Sequence, residues 1–195
     1  TMPILVAAIH AHNAYGADVI MRILGDTHRV LGAASYSALG LGASAKTTEV
    51  RANAAEALAS LADRGMADTA LFAEELCWLL SQHHVKAQRI ERTFRDAASI
   101  SPLAGWRIIQ VLEGILPVVG KVNRGGTLVQ LLVQLAGEYG VSIKIPEALQ
   151  PKMKGSTVLA KSLRALEKLQ PHPTELAEQA RDQAQELLDQ HRCAQ

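Results

Sequence analysis

Apolar residues recur every three or four positions over residues 46–65, and this pattern predicts an amphipathic helix. Five apolar side chains share one stripe of a helix with 3.6 residues per turn: Val50, Ala54, Ala57, Leu58 and Leu61. Polar side chains occupy the opposite face. Thr47 or Thr48 can cap the start of this helix, and Arg64 followed by Gly65 suits its end. Because the stripe is rich in alanine, we expect neighbouring helices to approach it closely.

Similar patterns predict about ten helices, joined by loops of roughly two to six residues. One helix is expected over residues 28–40, capped by Asp26 or Thr27, and later helices are expected to begin at caps Asn123 and Ser156. A long apolar helix should follow Ser101, run to about residue 119 and be buried. Residues 141–145 alternate like a strand, but no partner strand is predicted, so we interpret them as an extended connector.

A short internal sequence repeat helps to distinguish between two architectures. Leu31, Ser35, Ala38 and Leu39 align with Val50, Ala54, Ala57 and Leu58 at a constant offset of nineteen residues. A closed bundle and a curved solenoid both fit a succession of antiparallel helices. The nineteen-residue repeat favours the solenoid, since it gives a helix-pair period of about 38–40 residues, close to the length of HEAT and armadillo repeats. We therefore predict an all-α, HEAT/armadillo-like superhelix over residues 1–170. The Pro-His-Pro segment at 171–173 predicts a hinge, followed through residue 195 by a helix that docks on the domain or binds a partner.

Composition narrows the classes of function. The chain of 195 residues is 48% apolar and only 4% aromatic, which excludes disorder and favours helices. Its net charge of +1 gives no overall attraction to nucleic acid or membrane. Cys77 and Cys193 are expected to be free thiols, and no signal peptide or run of 18 apolar residues is evident, so we predict a cytoplasmic protein. Because Thr1 precedes Met2, we expect the chain to be part of a longer protein.

The segment EVRANAAEAL at residues 49–58 resembles the second helix of a HEAT repeat. With GWRIIQVLEGILP at 105–117 and NRGGTLVQLLVQLAGEYG at 123–140, it makes residues 25–169 similar to the C-terminal region of large, mostly actinobacterial HEAT-like proteins of unknown function. Such proteins tend to be encoded near MoxR-type AAA ATPases and von Willebrand A proteins. The resemblance implies an adaptor or assembly role with a protein partner of one of those kinds. The helices before Gly25 and after Pro171 have no counterpart in it.

Candidates for catalysis or metal binding are weak. Five residues have suitable metal-binding side chains but fit no ligand spacing: His10, His12, Cys77, His83 and His84. Serines at 35, 37 and 44 lie near glycines, but there is no nucleophile elbow. The segments GLGAS at 40–44 and NRGG at 123–126 lack the lysine and preceding strand of a phosphate loop, so we interpret them as helix caps. We predict no cofactor and no metal, and we favour a non-enzymatic protein.

Basic residues are concentrated in the middle of the chain. Residues 84–127 hold seven Lys or Arg against three Asp or Glu, in an otherwise nearly neutral chain. The candidate binding residues for an anion or an acidic partner are Lys86, Arg89, Arg92, Arg95, Arg107 and Arg124. The alternative is a solvated helix face partly paired with Glu91 and Asp96. Four of these residues recur every three positions, which spreads them over half of one helix surface.

These observations favour a protein-interaction scaffold or adaptor. The alternative is a HEAT-like nucleic-acid-binding protein or a DNA glycosylase, because that fold also hosts base chemistry. A glycosylase needs a concave basic surface with aromatic side chains and a carboxylate. No cluster of that kind is evident in the sequence, and Phe94 and Trp106 are expected to be buried.

Overall fold

A computed structural model describes residues 14–27, 31–82 and 85–193, and this part of the chain is helical without β-strands. The all-α prediction is therefore confirmed. The nine α-helices within it are α1 (Ala14–Asp26), α2 (Ala33–Ala43), α3 (Thr48–Asp63), α4 (Thr69–Ser81), α5 (Ala87–Ala98), α6 (Pro102–Val119), α7 (Gly126–Glu138), α8 (Val158–Glu167) and α9 (Glu175–Cys193). A 3₁₀ helix, Glu147–Met153, lies between α7 and α8. Residues 141–145 form the extended connector that the sequence predicts.

Helix α3 follows its apolar stripe closely. All five stripe residues are buried, and the helix ends at Arg64 before Gly65, whose φ of +67° is the left-handed conformation that suits a helix C-terminus. Thr47 occupies the N-cap position, although its side chain makes no capping hydrogen bond. The alanines allow a close neighbour. A Cβ on Gly25 of α1 would lie 3.1 Å from the Cα of Ala57, so these two helices pack nearly backbone to backbone.

Helix α2 differs from its prediction at the start. Leu31 and Gly32 lie outside the helix, so Asp26 and Thr27 are not its caps, and the helix continues beyond Gly40 to Ala43. The reason is local, because Gly32 is extended at the N-cap position. Nine of the eleven helix residues are buried, since α2 packs against α1, α3, α4 and α5. The GLGAS segment is the C-terminal half of this helix. A Cβ on Gly42 would lie 2.3 Å from the Sδ of Met21, so glycine serves close packing there.

Helix α6 is the central element, as predicted. The Ser101 hydroxyl accepts a hydrogen bond from the Ala104 N–H at 3.1 Å, and Pro102 occupies the first turn. The helix contacts α3, α4, α5, α7 and α9. It is long and apolar enough to cross a bilayer, yet 56% of it is buried inside the fold, as in the core helix of a soluble protein. A cytoplasmic location stays a prediction.

From α1 to α6, the helices pack mainly on their second neighbours along the chain. In one row α1 packs on α3 and α3 on α5, while in the other α2 packs on α4 and α4 on α6. Stacked helical hairpins produce two such rows, whereas the nearly complete burial of α2 is a feature of a closed bundle. The solenoid therefore stays a prediction.

The second half of the chain shows small shifts of the predicted caps. Gly125 instead of Asn123 occupies the N-cap position of α7, and the hydroxyl of Thr157 instead of Ser156 caps α8 through the Ala160 N–H at 3.1 Å.

The Pro-His-Pro segment is held to the domain, since the His172 N–H donates to the Gly140 carbonyl at 2.9 Å. Helix α9 packs along α6. Whether α9 also binds a partner stays a prediction.

Candidate functional site

Helix α5 carries four of the six candidate cations and distributes them over two sides. It packs against α3 on one side and α7 on the other, with α6 and α2 beneath. Arg95 lies on the α7 side, where it pairs with Glu91 and donates to the side-chain oxygen of Gln134. This is the pairing that a merely solvated face would show, so Arg95 offers little free charge to a partner.

On the other side, arginines gather at the C-terminal end of α2. The Arg89 Nη1 atom lies 3.2 Å from the Ser44 carbonyl, and the Arg51 Nη1 atom lies 2.8 Å from the Ala45 carbonyl. Ser44 is the C-cap residue of α2 and Ala45 follows it in the chain, so the two guanidinium groups satisfy carbonyls just beyond the end of this helix. Burial lowers the pKa of Arg51, and the nearby charges of Arg89 and Arg92 lower it further. Arg92 therefore belongs to an arginine cluster shared by α3 and α5.

Arg51 was not predicted as part of the basic surface, because the sequence placed it on the polar face of α3. One feature of the sequence could have indicated this role of Arg51. An arginine in the first turn of a helix, just after a short loop, can reach back to the carbonyls of that loop. The second hydrogen bond of Arg51, from Nη1 to the Lys46 carbonyl at 2.7 Å, has this geometry.

Two adjoining clefts bring Lys86 and Arg89, at the start of α5, together with cations from later in the chain. One cleft of about 340 Å³ is lined by Lys86, Arg89 and Arg124, among others. A second of about 600 Å³ is lined by Arg124 together with Lys152 and Lys154. The clefts share Gln88, Val122 and Arg124, and the guanidinium of Arg124 donates to the Gln88 side chain. We call this surface, defined by Lys86, Arg89, Arg124, Lys152 and Lys154, the basic groove.

The described residues that line the basic groove include no Asp or Glu. None of its five cations forms an ion pair with a carboxylate in residues 14–27, 31–82 or 85–193. Its positive charge is therefore not neutralised internally, unlike that of Arg95.

Two helix N-termini add to the positive character of the second cleft. Gly125, Gly126 and Thr127 begin α7, while Thr157 and Val158 begin α8, and all five residues line the cleft. A Cβ on Gly126 would lie 2.7 Å from the backbone nitrogen of Leu159, so glycine is needed where the two helix starts meet. The N-cap residue of α7, Gly125, provides no side-chain hydrogen bond, but the N–H groups of Thr127 and Leu128 donate to the carbonyls of Arg124 and Gly125. This helix start therefore contributes mainly its partial positive charge.

The loop that carries Lys152 and Lys154 is held in place by α8. The Nη1 atom of Arg164 donates to the carbonyls of Met153 and Gly155, at 2.6 and 2.9 Å. Lys152 packs its aliphatic stem near Gly120, at the end of α6. These two lysines were not predicted, because residues 128–195 have balanced charge and only the tertiary fold places Lys152 and Lys154 beside Arg124.

Arg107 does not join the basic groove. It lines a small cavity of about 20 Å³ together with Tyr36 and Asp68, beneath the loop between α3 and α4. Its Nη1 atom donates to the Gln110 side chain at 3.3 Å, and its buried Nε atom has no hydrogen-bond partner in the described part of the chain. Burial raises the pKa of Tyr36, and the positive charge of Arg107 opposes that shift. Arg107 therefore belongs to a separate cavity and not to the basic groove.

Two of the candidate serines have hydrogen bonds that serve packing. The Ser37 hydroxyl donates to Glu75, and the Ser44 hydroxyl accepts from the Lys86 N–H, so both support packing. Four of the five proposed metal ligands, His10, His12, His83 and His84, lie outside the described residues. Among the residues that the structure describes, no group of three or more His, Cys, Asp or Glu side chains could hold a metal.

Comparison with known proteins identifies no relative. The chain matches no family model, no curated protein and no solved structure. The resemblance to actinobacterial HEAT-like proteins therefore stays an expectation from the sequence, and the function is argued from the basic groove alone.

Proposed function

We propose that this chain is a non-enzymatic protein-interaction module that holds an acidic segment of a partner protein in the basic groove. One observation carries the proposal: five cations surround two adjoining clefts, and no carboxylate among the described residues lines them. Unpaired cations within about 10 Å of each other reinforce the same local potential at physiological salt. The two helix N-termini at the second cleft add partial positive charge.

The chemistry of the groove favours a protein partner over nucleic acid. Single-stranded nucleic acid is bound by stacking its bases on aromatic side chains, and none of the described residues that line the clefts is aromatic. A base-excising enzyme needs a carboxylate beside the flipped base, and the described lining has none. Peptide carboxylates require cations, which the groove provides.

The wider assembly is also a proposal. A HEAT-like scaffold that belongs to a larger chain would present the groove to a MoxR-type AAA ATPase or a von Willebrand A protein, the partners that the family resemblance implies. The packing of helices on their second neighbours supports this reading, since it is how stacked helical hairpins are built.

The test uses a fluorescein-labelled, glutamate-rich peptide and two triple variants with equal loss of charge. The groove variant carries Arg124→Gln, Lys152→Gln and Lys154→Gln. The control variant carries Lys144→Gln, Lys168→Gln and Arg192→Gln, which are exposed residues that line neither cleft. Three cations at about 0.5 kcal/mol each predict roughly tenfold weaker binding by the groove variant in fluorescence anisotropy, with the control near wild type.

The outcomes separate the two functions. Equal weakening of both variants would show that only net charge matters and would refute the groove. Tighter binding of a single-stranded oligonucleotide than of a peptide of equal charge, lost in the groove variant, would favour the nucleic-acid alternative instead. Binding of the peptide that weakens steeply with added salt in the wild type, and less steeply in the groove variant, is the expected pattern.

A further inference from the structure

A second cavity, away from the basic groove, lies between the first half of α6, the end of α7 and α9. Its volume is about 550 Å³, which is within the range of small-molecule sites. The walls are mostly apolar. They include Trp106 of α6, the prolines at 171 and 173, and three alanines of α9 at positions 177, 180 and 184. Since these α9 side chains are small, the helix packs against the domain and still leaves the cavity open.

Besides Tyr139, three residues that line the cavity have side chains able to form hydrogen bonds, and none of the described lining residues is an Asp or Glu. The guanidinium of Arg181 has no hydrogen bond or ion pair to any residue that the structure describes. The Trp106 indole N–H is likewise without a partner among them. His172 has its Nδ1 atom 3.1 Å from the Gln170 carbonyl, which leaves Nε2 for another contact.

Tyr139 forms a fixed wall of the cavity. Its hydroxyl donates to the Pro102 carbonyl at 2.7 Å, and its ring centroid lies 6.2 Å from that of Trp106. The planes of the two rings are tilted by 51° to each other, and together they form the aromatic side of the cavity, while the exposed Arg181 places a positive charge at the rim. Apolar walls with a few convergent polar groups are the usual composition of a site for an organic ligand.

We propose that this cavity binds a small organic anion consisting of a flat apolar ring system and one carboxylate. The ring would lie against Trp106 and the alanines of α9, and the carboxylate would take the free donors of Arg181. A guanidinium binds a carboxylate with two parallel hydrogen bonds, which favours a carboxylate over a neutral polar group. The site is independent of the basic groove, because the two share no lining residue.

The test follows the tryptophan indole N–H signals in a proton–nitrogen correlation spectrum, with 2-naphthoate as the probe. The chain has two tryptophans. Trp106 lines the cavity, and Trp78 is 56% exposed on α4, so it serves as an internal control. The Trp78→Phe variant assigns the signals. We expect 2-naphthoate to shift the Trp106 signal at concentrations up to about 1 mM and to leave the Trp78 signal in place.

Three variants locate the interaction. Arg181→Gln should weaken 2-naphthoate about tenfold while leaving neutral 2-naphthamide unchanged, because only the charged hydrogen bonds are removed. Arg192→Gln, on the same helix but outside the cavity, should bind both probes normally. Ala184→Leu should abolish binding of both by filling the cavity, with the helix content checked by circular dichroism. An unmoved Trp106 signal, equal shifts of both indoles, or unaltered 2-naphthoate binding in Arg181→Gln or Ala184→Leu would overturn the proposal.

Discussion

Replacement of Gly140 by alanine tests how the C-terminal helix is attached. Gly140 follows α7 and has a φ of +63°, which is in the left-handed region. A Cβ at this position would lie 1.9 Å from the carbonyl oxygen of His172. The same two residues are joined by the hydrogen bond from the His172 N–H to the Gly140 carbonyl, at 2.9 Å. Alanine therefore forces the Pro-His-Pro segment away from the domain.

The cost has two parts. Left-handed backbone costs a residue with a Cβ about 1 kcal/mol relative to glycine. Displacing the His172 backbone removes a hydrogen bond worth about 1 kcal/mol and loosens the first turns of α9. Together these parts predict a loss of about 2–4 kcal/mol in the free energy of unfolding.

Gly65 provides a matched control. Its φ is +67°, but the nearest atoms to its Cβ position are 3.7 and 3.9 Å away, which is ordinary contact. Gly65→Ala should therefore cost only the backbone part, about 1 kcal/mol. Urea unfolding of the two variants measures the difference. If both variants lose the same stability, the close approach of residue 172 to Gly140 is wrong, and α9 is not held as described.

Three further predictions concern single side chains. Burial raises the pKa of Tyr139 from 10.0 to about 12, so the stability that its neutral hydroxyl contributes is present below pH 10 and is lost as the pH rises toward 12. Urea unfolding should show a decline of about 1–2 kcal/mol over that interval, reduced in Tyr139→Phe; an equal decline in both proteins would contradict this. Burial, and then Glu74, raise the pKa of the Cys77 thiol, whereas Cys193 is exposed. A disulfide reagent at pH 8 should therefore react in a fast and a slow phase, with the fast phase absent in Cys193→Ser; survival of the fast phase in that variant would refute the assignment. Ile115 is fully buried in α6, so Ile115→Ala should cost about 2–5 kcal/mol in thermal or urea unfolding, and a loss below about 1 kcal/mol would mean that α6 is not central.

Sequence periodicity was most informative where one pattern fixed both ends and one face of a helix. Helix α3 shows this well, because its stripe, its threonine start and its glycine end all agree with the structure. Helix α2 shows where periodicity fails to predict the start of a helix. It is buried on nearly every side, so its burial has no helical period, and the extended Gly32 moved its start to Ala33.

The candidate site was predicted only in part, for a geometric reason. A three-residue spacing rotates successive side chains by about 60° around a helix, so the arginines of α5 face α3 and α7 separately. Arg95 is thereby paired with Glu91, while Arg89 reaches the end of α2. The basic groove instead joins α5 to the loop of Lys152 and Lys154, and no local pattern in the sequence specifies that contact.

The most direct test of the proposed function is to map the binding of a glutamate-rich peptide onto the chain by amide chemical shifts. If the groove holds the acidic segment, the amide signals of Gly125, Gly126 and Thr127 at the start of α7 should move most, together with those around Lys152 and Lys154. The signals of the Arg107 region should stay in place, since that residue lines a separate cavity. Shifts confined to other surfaces, with the start of α7 unchanged at saturation, would contradict the account.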